Sequence, residues 1–136
     1  MSETDTHQRL VVCHAYERVM SLDVIGPLQV FGSANDELVR TGRSASYAVQ
    51  VAADQPGPVR TSCGVQLYAD CAWRTLDLTQ VDTLFVPGGD GVARFFKDQE
   101  FLDWLRHAEQ TIPRLGSVCS GALILAEAGV LDGRMA

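Results

Sequence analysis

At 136 residues the chain has the length of one domain, since domains most often run to about 100–150 residues, and its 46% hydrophobic and 21% charged residues are globular usage that excludes intrinsic disorder. The 11 basic residues are scattered among 17 acidic ones, and the resulting net charge of −6 excludes this segment as a phosphate-gripping surface. Cys13, Cys63, Cys71 and Cys119 form no C-x-x-C pair, and His7, His14 and His107 have no ligand spacing relative to them, so no disulfide scaffold, metal site or cofactor is expected.

Met1–Gln8 is polar and acidic, with no apolar signal region, and is predicted as a disordered leader, residues 9–136 forming the folded domain. No apolar run approaches the roughly 18 residues of a membrane span, and a cytoplasmic location is expected. Leu10–Cys13 is a short continuous apolar run, the pattern of a parallel strand buried on both faces. His14, just after it, is expected to be a hydrogen-bonded structural residue within reach of a pocket, whereas His7 and His107 read as solvated. Pro27 suits a first helical position, and Leu28, Phe31, Ala34, Asn35 and Leu38 follow helical spacing as far as Gly42. Just before it, Asp23 sits where a carboxyl either satisfies the helix dipole or reaches a site.

Val49–Ala53 predicts a second strand, and residues 57–61 and 65–68 an antiparallel excursion about Ser62-Cys63-Gly64. Asp82–Val86 is a buried strand running into Pro87-Gly88-Gly89, a turn whose glycine N–H groups can approach an anion. Asp98 caps a helix with the apolar stripe Phe101, Leu102, Leu105 and Ala108. Leu115–Cys119 is a further candidate for the central sheet, and a last helix carries Ala122, Leu125 and Ala126 up to Gly129. Strands alternating with helices predict a flavodoxin-like, doubly wound, mainly parallel α/β sheet.

Leu115-Gly116-Ser117-Val118-Cys119-Ser120-Gly121 carries the sharpest chemistry: a strand delivers a thiol to a tight turn, small residues follow, and a helix begins. That is the order of a nucleophile elbow, in which the helix dipole favours thiolate, and on this reading Cys119 is the most reactive of the four thiols. The same pattern also fits a small buried hydrophobe. The other three cysteines read as packing or surface residues.

Taken in order, the blocks Leu22–Pro27, Val86–Gly91, Ser117–Gly121 and Leu125–Arg134 resemble the ThiJ/PfpI superfamily of class-I glutamine-amidotransferase-like domains. The wording of residues 29–36, 57–64 and 103–106 is closest to the N-terminal domains of its AraC-type transcription regulators. The resemblance implies a ligand-sensing domain that takes a small-molecule effector or substrate. Cys119 and Asp23 would be its catalytic or vestigial pair, with Gly88, Gly89 and Ser120 lining an oxyanion or ligand pocket in which the Gly89 and Ser120 backbone N–H groups face an anion. A direct hydrogen bond between the Asp23 carboxyl and the Cys119 sulfur is expected. The alternative is a cysteine-dependent enzyme of the isocyanide hydratase kind. Ser120 departs from the histidine that hydrolytic members place beside the nucleophile. The chain also stops at Ala136, before the C-terminal part of the family core, so any contact with DNA would come from a segment absent here, and a homodimer is the expected assembly.

Overall fold

The computed structural model describes residues 7–134; most of the expected leader lies outside them. Strands β1 (Arg9–His14), β2 (Tyr47–Ala53), β5 (Cys71–Ala72), β6 (Val81–Val86) and β7 (Arg114–Ser117) form one sheet in the order β5-β2-β1-β6-β7, every neighbouring pair parallel. β3 (Gly57–Arg60) and β4 (Gln66–Ala69) pair antiparallel as the expected excursion. The remaining elements are helices α1 (Ser21–Arg40), α2 (Gln99–Thr111) and α3 (Gly121–Glu127) and three short 3-10 segments. This is the flavodoxin-like α/β arrangement.

The chain steps from β1 through α1 to β2 in one direction along the sheet and from β6 through α2 to β7 in the other. Because such crossovers are right-handed, the two helices cover opposite faces, and a crevice opens between β1 and β6 at their C-terminal ends. The core under the α2 side is aromatic: Trp73, Phe95 and Phe101 are buried, and Trp73 and Phe101 meet edge to face with ring centroids 5.2 Å apart. Asp98 caps α2 by accepting from Phe101 N–H at 3.1 Å, as its position predicts.

Two elements differ from the sequence reading. Helix α1 begins six residues before Pro27, which therefore lies inside it. A proline there leaves the carbonyl four residues back, that of Asp23, without its helical N–H donor; the buried Cys13 thiol lies 4.0 Å from it and 3.5 Å from the His14 carbonyl. Strand β7 joins the central sheet as expected, but it ends at Ser117, two residues before the expected Cys119, and is the sheet's outermost, half-buried strand among the described residues.

Candidate functional site

Tyr16 follows β1 and Pro87-Gly88-Gly89 follows β6, so both project into the crevice at the switch point. The buried Tyr16 hydroxyl donates to the Pro87 carbonyl at 2.7 Å and ties the two strand ends together. Burial, then the nearby Asp23, Cys13 and Cys119, push the phenol well above its ordinary pKa, so it remains a neutral donor. Met20 N–H bonds the Gly88 carbonyl at 2.9 Å and docks the start of α1 on the same turn. Asp23, in the first turn of α1, then accepts the Gly88 N–H at 3.1 Å.

Cys119 follows β7 with φ +54, a left-handed conformation that costs a residue with a Cβ about 1–2 kcal/mol. The bond from Val118 N–H to the Val86 carbonyl at 3.0 Å holds the chain up to that point, and the Gly121 N–H to Val118 carbonyl bond, also 3.0 Å, closes the turn beyond it. The strand-to-helix elbow is thus present, and the Cys119 side chain is exposed. Gly88 is the hinge of the site: a Cβ there would come within 2.5 Å of Ser120 Oγ, 2.7 Å of Ser120 N and 3.1 Å of Cys119 Cβ. Only glycine lets the turn carrying the Asp23 contact lie against the elbow.

The structure therefore brings Asp23, Gly88, Gly89, Cys119 and Ser120 to one place, with two differences from expectation. No hydrogen bond joins Asp23 to Cys119 among the described residues; the carboxylate is instead engaged by Gly88 N–H. The Gly89 N–H is not free either, since it donates to Ser120 Oγ at 3.1 Å. That bond occupies the hydroxyl oxygen and leaves its proton to point elsewhere. The Ser120 backbone N–H, like that of Cys119, donates to no acceptor among the described residues, so the elbow keeps backbone donors for an anion alongside the Ser120 hydroxyl. A cavity of about 640 Å³ lies beside β7 instead, lined by residues such as Phe31, Phe85 and Leu115, and includes none of these five.

Sequence reasoning missed two groups. His14 is fully buried against Phe101, with ring centroids 4.3 Å apart, and neither ring nitrogen finds a hydrogen-bond partner, so the expected polar role is absent. Cys63 is an exposed thiol in the β3–β4 turn. Hydrogen bonding from Thr61 first, then from the Val65 backbone and Ser21, lowers it to about 7. The pattern Thr61-x-Cys63 in a tight turn is the signal that could have drawn attention to it. By contrast, burial first and then Asp23 push Cys13 up to about 12, and burial likewise raises Cys71.

Alkylation of the folded protein should accordingly modify Cys63 and Cys119 and spare Cys13 and Cys71, with the Cys63 rate rising around pH 7. Cys63, which the sequence leaves inconspicuous, thus stands beside Cys119 as an exposed thiol. Peptide mapping across neutral pH checks this, and modification of Cys13 before unfolding would contradict the burial described.

Comparison with known proteins adds the lineage. The DJ-1/PfpI family pattern matches residues 8–136. An isonitrile hydratase from Pseudomonas putida is 31% identical over 121 residues, 89% of this chain and 48% of that protein. The HTH-type transcriptional regulator CdhR from Pseudomonas aeruginosa is 36% identical over 90 residues, 66% of this chain and 26% of that protein. A crystal structure of a ThiJ/PfpI family protein from Pseudomonas syringae superposes with a TM-score of 0.78 at 25% identity, over 98% of this chain and 53% of the other. The chain thus spans about half the length of the hydratase and of the solved structure.

Proposed function

The chain belongs to the DJ-1/PfpI family, and from that premise we propose that it is the ligand-sensing domain of an AraC-type transcription regulator, cytoplasmic and homodimeric. The effector is a small molecule, received at the crevice of Asp23, Gly88, Gly89, Cys119 and Ser120. DNA is read by a separate segment of the parent protein. The similarity to an HTH-type regulator supports the lineage.

The observation that carries sensing over turnover is that the turn's own donors are already engaged. Gly88 N–H is held by Asp23 and Gly89 N–H by Ser120. Each preorganised donor to a developing oxyanion is worth roughly 10²–10³ in rate, so acyl-transfer chemistry is poorly served where the turn's donors are engaged. The elbow's free backbone donors and one hydroxyl suffice to bind an anionic or electrophilic group.

A second reading is favoured by the 31% identity with an isonitrile hydratase. There the Cys119 thiolate adds to the terminal carbon of R–N≡C while a proton from the Asp23 carboxyl completes the thioimidate. Water then adds at the same carbon, sulfur leaves, and R–NH–CHO is released with Asp23 reprotonated. The missing bond between Asp23 and Cys119 weighs against it, because the proton donor is not in contact with the nucleophile.

The reading is tested by salt-dependent duplex binding of the full gene product, with residues 1–136 alone as the control.

A further inference from the structure

Among the described residues, two that are not glycine hold a left-handed backbone, Cys119 at φ +54 and Arg18 at φ +71. Glycine takes that conformation freely, whereas a residue with a Cβ loses about 1–2 kcal/mol there. Both pack on the turn after β6. Cys119 lies against Gly88, and Arg18 lies against Gly89, where an added Cβ would stand 2.5 Å from the Arg18 carbonyl oxygen, 2.6 Å from Met20 N and 2.8 Å from Val19 Cα. Further along, a Cβ at Gly91 would come within 2.3 Å of the Glu17 carbonyl oxygen. The loop from β1 to α1 therefore meets the turn backbone to backbone. The Arg18 N–H also donates to the Arg60 carbonyl at 2.9 Å. These contacts fix the Arg18 backbone beside the crevice.

The Arg18 side chain takes no part in them. Its Nη2 donates to the Asp90 carboxylate, an ion pair whose side chains are 58% and 68% exposed, while Nε and Nη1 bond nothing among the described residues. A pair so open to solvent contributes about 0–1 kcal/mol, which at best offsets the backbone strain. Stability thus gives no reason for arginine at a position that glycine fills without strain, and strain of this kind collects at ligand clamps.

We propose that Arg18 is the recognition residue for a carboxylate on the small molecule that the crevice receives, and that this carboxylate displaces Asp90 from the guanidinium. The proposal rests on the reading of the crevice as a small-molecule site and adds the chemical class of its ligand. Asp90 shows that a carboxylate fits the guanidinium, yet it takes only one of its donors. A ligand carboxylate meeting the planar fork accepts two parallel N–H bonds, so the exchange gains a charge-assisted bond at the loss of a weak exposed pair. Charge selects carboxylate over phosphate. One guanidinium balances one carboxylate, whereas a phosphate monoester brings about −1.5 to −2 of charge to a turn that already holds Asp23 and Asp90, on a chain of net charge −6. The rest of the ligand then lies along the turn toward Cys119, because Gly88, beside Gly89, faces that residue.

Cys119 reports on the site. In the full gene product with Cys63→Ser, the rate of Cys119 modification by carboxyethyl methanethiosulfonate is compared with that by the neutral ethyl reagent. Arg18→Gln should lower this ratio about 10-fold, the worth of charge-assisted hydrogen bonds to one guanidinium. Arg18→Lys should keep part of the preference, and Asp90→Asn, which removes the competing carboxylate, should raise it. Arg60→Gln removes a neighbouring charge of the same sign and should leave the ratio as it is. Urea midpoints no lower for Arg18→Gly than for the parent would show that the side chain is not holding the fold. An equal ratio with and without Arg18, or an equal fall in Arg60→Gln, overturns the proposal. Cys119 that reacts with neither reagent overturns instead the reading of the crevice as a small-molecule site, and the proposal with it.

Discussion

Gly121→Ala is expected to destabilise the fold by more than about 4 kcal/mol, while Gly32→Ala should stabilise it by about 0.5–1 kcal/mol. Both are single methyl additions at helical glycines, and the difference lies in what the methyl meets. At Gly121 a Cβ would stand 2.0 Å from the Val86 carbonyl oxygen, 2.8 Å from its carbon and 2.9 Å from the Pro87 carbonyl carbon. All three are backbone atoms, so no side chain can rotate away, and the Val86 oxygen is itself holding Val118 N–H. Relief requires α3 to withdraw from β6, which opens the elbow. At Gly32 nothing lies within 4 Å, and alanine simply lowers the conformational entropy of the unfolded chain. Urea unfolding of both variants at one pH checks the pair; near-equal stabilities would mean that α3 does not pack on β6 as described.

Acid should unfold the protein earlier than its carboxylates alone require, because of His14. Burial is the main cause that lowers this imidazole from 6.5 to about 3, with Asp54 opposing and Arg94 assisting. The folded state keeps the ring neutral while the unfolded chain binds a proton below about pH 6.5, so stability present above that pH is lost as pH falls toward 3. At ~1.36 kcal/mol per unit, the loss is about 2 kcal/mol between about pH 7 and about pH 5. The neighbouring Asp54 is raised by burial but more strongly lowered by hydrogen bonds from Trp73 and Arg94, so its own loss falls at lower pH and does not mask the effect. His14→Leu, which also removes two unbonded buried nitrogens, should flatten the slope across this window without loss of stability at neutral pH. An unchanged slope would show that His14 is not what titrates.

Sequence reading succeeded where local pattern and tertiary environment agree. The apolar run of β1, the Asp98 cap of α2 and the hairpin about Cys63 are each specified by residues within a turn or two of themselves. It missed where a distant group decides. Nothing local to Pro27 says that the helix runs through it, so the six residues of α1 before it were lost to a rule about proline. Residues 90–97 offer no clear period, yet they form a 3-10 segment that seats Phe95 in the core. At the candidate site, the resemblance pointed to Cys119, Gly88 and Asp23, and the structure brings these three close together. Which N–H groups remain free could not be read, because that depends on where Ser120 Oγ and the Asp23 carboxylate point.

The most direct measurement on the regulator reading is a gel shift of the full gene product on the DNA upstream of its own gene, titrated with salt. A sequence-selective complex that weakens steeply with salt is expected from the parent. No complex is expected from residues 1–136, whose net charge is −6 and whose arginines at 18, 40, 74, 94, 106, 114 and 134 are each paired with a carboxylate. A full product that leaves every duplex unshifted while hydrating isocyanides through Cys119 would contradict the account and put the enzyme in its place.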